Sequence, residues 1–159
     1  MTSFQDILSI AVPKVPLELQ EEAKADESYA YTGTIDMIVA LGLDADVFWE
    51  TKTVVDEDSG ETIEVKTGYC TVDLTLSQKW LAALFTYKVF LERLKMEKTI
   101  EAINFSTLTF SIKGLEKIPE NINDSIYWLN RNIQTEIDKA KGANAILGTV
   151  VVYGGDSNE

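Results

Sequence analysis

Two stretches of the chain carry apolar residues at helical spacing, and the rest of the sequence is arranged around them. Trp80, Leu84, Tyr87, Leu91 and Leu94 mark one face of an amphipathic helix, and Leu81, Phe85 and Val89 widen its first half to two buried faces. Ile118, Ile122, Ile126, Leu129, Ile133, Ile137 and Ala140 mark a second stripe, taking six steps of three or four over 22 residues. The spacing predicts long helices over about 77–103 and 118–142, with Thr75 or Ser77 capping the first, Pro119 in the first turn of the second and Gly142 closing it. Trp49, Trp80 and Trp128 read as core or interface anchors, so Trp128→Ala is expected to damage folding.

Elsewhere the period changes. Phe4, Ile7, Leu8 and Ala11 behind Thr2-Ser3 predict a short capped helix that ends at Pro13 and Pro16. Pro16 is placed at the first position of a further helical segment, with Gly33 breaking it near residues 31–34 and Gly42 near its end. Val47 to Val55 and Ile63 to Tyr69 alternate with period two about the acidic turn Asp56-Glu57-Asp58-Ser59-Gly60-Glu61. This predicts an acidic β-hairpin over about 47–70. Its loop begins like a calcium loop, but the glycine comes one place early and Thr67 stands where a bidentate Glu belongs. Between the long helices, Asn104–Lys113 turns to β-type residues, Leu108, Phe110 and Ile112 alternating with Thr107, Thr109 and Ser111, which predicts a short extended arm. Ile146, Val150 and Val152 predict a final strand before the polar residues 154–159.

The expected fold is therefore α+β and mainly α, a helical bundle with a hairpin and an arm. Residues 1–153 form a single structural domain, followed by a flexible polar tail. The longest near-apolar run, Met37–Leu43, is too short for a membrane span, and no export signal precedes the first helix.

Charge divides the chain in two. Residues 1–76 hold 16 Asp/Glu and 4 Lys, whereas residues 77–159 hold 10 acidic and 10 basic residues. The first long helix is locally basic, with Lys88, Arg93, Lys95 and Lys98 as a candidate face. An acidic half and a basic helix suit pairing between copies, and also suit a solvated acidic face. Neither favours binding to a nucleic-acid backbone.

Chemistry is harder to place. The chain has no histidine, which removes the commonest general base, the commonest metal ligand and the usual nucleophile pairs. It has no phosphate-binding glycine loop. Asp44, Asp46, Glu50 and Asp73 are the remaining acid/base candidates, and Cys70 reads as a small buried hydrophobe. The expectation is a protein that is not an enzyme, without catalytic, cofactor-binding or metal residues.

The stretch from Ala82-Ala83-Leu84-Phe85-Thr86-Tyr87-Lys88 through Glu101-Ala102-Ile103-Asn104-Phe105-Ser106-Thr107-Leu108-Thr109-Phe110-Ser111-Ile112-Lys113-Gly114, with the helix that follows, resembles head–tail connector (adaptor) proteins of the neck of tailed bacteriophages and prophages. The likeness covers about residues 75–142. It implies a structural protein of the virion neck, made in the bacterial host cytoplasm, that forms a homo-oligomeric ring between the portal protein and the next neck or tail protein and lets DNA pass. The hairpin departs from the simplest helical connectors, which leaves another neck or tail-completion role open. Candidate assembly residues are Phe105, Leu108, Phe110 and Ile112 in the arm, Val47, Trp49, Ile63 and Val65 in the hairpin, and Ile146, Val150 and Val152 in the final strand. The extended segments either add to a neighbour's sheet or pack together within one subunit. The competing class is an acidic DNA mimic that inhibits a nucleic-acid-binding protein, with residues 18–27 and 56–64 as its carboxylate face.

Overall fold

The computed structural model describes the backbone of residues 1–55, 62–107 and 117–150. Within them the protein is mainly helical with a small antiparallel sheet, as the sequence predicts. The elements run β1 (Thr2–Ser3), α1 (Phe4–Ala11), α2 (Gln20–Ala25), α3 (Ser28–Leu41), β2 (Val47–Val55), β3 (Thr62–Cys70), α4 (Leu76–Thr107) and α5 (Lys117–Val150).

Helix α4 is the centre of the molecule. Thr75 and Gln78 form a reciprocal capping box at its start: the Gln78 amide donates to Thr75 Oγ1 at 3.3 Å and the Thr75 amide to Gln78 Oε1 at 2.8 Å. Every residue from Leu81 to Thr86 is buried, and α1, α3 and α5 all pack against α4. One amphipathic stripe cannot meet three neighbours, hence the double row of apolar residues. Trp80 lies at the margin, 40% exposed, with Lys14 Nζ 4.1 Å above its ring.

The other core elements are fixed by local chemistry. Ser3 caps α1, its hydroxyl accepting from the Asp6 amide at 3.2 Å, as its sequence suggests. Gly42 takes the left-handed conformation (φ 64°) after α3, and the Leu43 amide closes back onto the Ile38 carbonyl at 3.0 Å. Gly33 does not break the chain. It lies inside α3, where a side chain would overlap the Thr86 backbone of α4, so the residue is a close-approach point between two helices. The interruption falls instead at Asp26-Glu27, where Asp26 Oδ1 accepts from the Ser28 amide at 2.9 Å. Ahead of it, Pro16 precedes a 3-10 turn at Leu17–Leu19 that leads into α2.

The sheet has order β1-β3-β2. β2 and β3 pair from Val47↔Cys70 to Val55↔Thr62, and β1 adds Thr2↔Cys70 and Ser3↔Tyr69 on the other edge. Thr2 is buried, and its Oγ1 accepts from the Leu74 amide at 2.8 Å. Cys70, at the centre, is fully buried, as expected of a small hydrophobe.

Three further readings of the sequence are corrected. Helix α4 continues through Asn104–Thr107, so this part of the arm, including Phe105, is helical; Leu108, Phe110 and Ile112 lie outside the described residues, as does the turn 56–61. Extending a helix that is already nucleated costs little, and β propensity over a few residues does not overcome it. At the far end α5 passes through Gly142 to Val150, so Ile146 and Val150 are helical; Val152 lies outside the described residues. A single glycine costs about 1 kcal/mol in a helix interior, which a helix of 34 residues absorbs. Finally, Trp128 is not a core anchor: it stands 59% exposed.

Candidate interaction surfaces

The hairpin is rooted in the body by one face of its ladder. Trp49 of β2 stacks on Tyr31 at 5.6 Å and meets Phe4 edge-on at 5.4 Å. Its partner across the ladder is Gly68, and a side chain there would overlap the Phe4 ring. The glycine is therefore the slot that lets α1 reach the sheet. Val47 also packs on the core. Of the candidate hairpin residues, Val47 and Trp49 thus point inward, while Ile63 and Val65 lie in β3 opposite Val54 and Lys52. On the other face Phe48 and Tyr69 stack at 5.7 Å, both partly exposed.

The basic face of α4 is largely engaged within the chain. Arg93 donates to Asp26 Oδ2 and to Glu97 Oε1, each at 3.2 Å, and lies 5.4 Å from the centre of the Tyr29 ring. Lys88 pairs with Glu92 at 3.7 Å, and Lys79 with Asp6 at 3.3 Å. Lys95 and Lys98 are partly exposed. Part of the complementarity between the acidic half and the basic helix is thus satisfied inside one subunit. Burial alone would raise the Asp26 pKa, but hydrogen bonds from Ser28 and Arg93 outweigh it and hold the carboxyl below its ordinary value.

Of the acidic candidates, Asp73 is taken up by the Met1 ammonium at 2.6 Å, and that hydrogen bond and charge lower its pKa. Among the described residues no group of three His, Cys, Asp or Glu side chains is placed to hold a metal ion. No helix among them is long and apolar enough to cross a membrane. An open groove of about 450 Å³ lies where α3 ends and α4 begins, lined by Leu41, Leu43, Thr75, Leu81, Glu136 and Lys139. Its Lys139 is paired with Glu136 at 2.7 Å.

Among the described residues the most exposed aromatic surface is on α5. Ile122, Leu129, Ile133 and Ile137 are buried, as their stripe predicts, and the opposite side of the helix carries Tyr127 and Trp128, 60% and 59% exposed. Their rings meet edge-on at 5.8 Å, and the Arg131 guanidinium lies 5.5 Å from the Trp128 ring. Sequence reasoning names Trp128 as a core or interface anchor but misses Tyr127 beside it. The available signal was that Tyr127 and Trp128 fall off the isoleucine stripe, on the side where a bundle helix ordinarily carries polar residues.

No protein-family model, curated protein or solved structure matches this chain.

Proposed function

We propose that this chain is a non-enzymatic structural protein that works by assembly, forming a ring in the neck of a tailed phage between the portal and the next neck or tail protein. The observation that supports an assembly role is the exposed Tyr127–Trp128 pair, on a helix whose other side is already buried against α4. Exposed aromatics beside an arginine are the composition of interface centres. The neck assignment itself rests on the resemblance of residues 75–142, of which 108–116 lie outside the described residues.

The test is a tagged pull-down from cells expressing the native gene neighbourhood, with co-purifying proteins identified by mass spectrometry. Recovery of portal, capsid or neck proteins is expected. Recovery of a nuclease, polymerase or repressor that moderate salt releases would overturn the reading and leave the acidic DNA mimic in its place.

A further inference from the structure

The outer side of α5 is self-complementary, and we propose that two copies of the chain pair through it, α5 against α5 in antiparallel, about a two-fold axis passing between Tyr127 and Trp128. Asp124, Trp128, Arg131, Thr135 and Asp138 follow one another at steps of four, three, four and three, and all are exposed. They form one row along the helix, opposite the buried isoleucines. With the axis between residues 127 and 128, the Tyr127 and Trp128 rings of both copies gather around the axis, and Asp124 of each copy meets Arg131 of the other. A cluster of four rings is then flanked on both sides by an ion pair.

Charge disfavours two of the alternatives. Parallel pairing in register would set Asp124 against Asp124 and Arg131 against Arg131. Moving the antiparallel axis to Arg131 would oppose the two arginines and set Asp124 against Asp138. Both bring like charges together. Within one chain Asp124 and Arg131 are about 10 Å apart along the helix, beyond salt-bridge reach. Among the described residues neither makes an ion pair. Arg131 is held beside the seam by the Trp128 ring.

A two-fold contact uses the same patch on both partners and is saturated by two copies. It is therefore a form of the free chain that must open before the same patch can serve a ring, and it stands whether or not the neck reading holds.

The experiment is sedimentation equilibrium on the purified full chain. Wild type is expected to show a reversible monomer–dimer equilibrium. Asp124→Arg and Arg131→Asp should each weaken it at least about ten-fold, since each opposes like charges across the seam. The double variant Asp124→Arg/Arg131→Asp should recover it. Mixing the two single variants should give heterodimers, because both crossed pairs are then of opposite sign. Circular dichroism and thermal unfolding should be unchanged throughout, as both residues are exposed. A wild type that stays monomeric at high concentration overturns the proposal. So does a double variant as weak as the singles, or a mixture of single variants that does not associate.

Discussion

Gly33 of α3 faces Thr86 of α4 so closely that a methyl group on Gly33 would stand 2.7 Å from the Thr86 Cα and 2.5 Å from its Oγ1. Thr86 is buried and its hydroxyl is committed to the Ala82 carbonyl at 2.8 Å, so the obstacle is rigid helix and not a movable side chain. Gly33→Ala is expected to destabilise the fold by about 2–3 kcal/mol by overpacking, seen as a lower midpoint in urea. Gly142→Ala, where nothing lies within 4 Å, should instead stabilise by about 0.5–1 kcal/mol through helix propensity. If both substitutions acted alike, packing would not be what fixes Gly33.

Trp128 and its neighbour Leu129 should separate surface from core. Leu129 is 5% exposed, and Leu129→Ala should cost about 2–5 kcal/mol. Trp128→Ala should change the stability of the monomer by less than about 0.5 kcal/mol. Thermal unfolding at a concentration low enough to exclude association distinguishes them, and a large loss with Trp128→Ala would place that ring in the core.

Asp26 joins the start of α3 to α4 through Ser28 and Arg93. Because its folded-state pKa is lowered, the folded protein binds fewer protons there than the unfolded chain. Its contribution is present above the ordinary carboxylate value, and is lost as pH falls through that value toward the folded one. Asp26→Asn should cost about 1 kcal/mol near neutral pH, a modest figure for a carboxylate 39% exposed, and the difference from wild type should shrink as the pH drops through that acidic range. Urea unfolding at a series of pH values checks the trend; a gap that widened in acid would contradict it.

Thr75→Ala removes the hydroxyl that caps α4 and should cost about 1 kcal/mol, with Thr75→Ser restoring most of it. Equilibrium unfolding of both variants provides the comparison.

Local rules carried much of the fold. The Ser3 cap, the Gly42 helix end, the hairpin and the isoleucine stripe of α5 each depend on residues close in sequence, and each is legible there. The misreadings concern residues whose state is decided by distant partners. Gly33 has the composition of a breaker, yet Thr86, far along the chain, makes it a contact. Thr2 and Ser3 are too few to announce a strand, and become one only because β3 offers a free edge at Tyr69 and Cys70. The candidate surface on α5 was hidden for a related reason: an exposed Trp and a buried Trp have the same identity, and only its phase against the isoleucines separates them.

The bond from the Leu74 amide to Thr2 Oγ1 spans 72 positions of sequence. A ribosome adding about 5–20 residues per second delivers Leu74 several seconds after Thr2. The strand nearest the beginning of the sequence is thus unable to find its place in the sheet until nearly half of the chain has been made. Through that interval helix α1, with its buried Ile7 and Leu8, lacks one of the surfaces it packs on, since α4 has not yet emerged. The newborn chain therefore passes through a period of apolar exposure near its N-terminus, ended by the synthesis of α4.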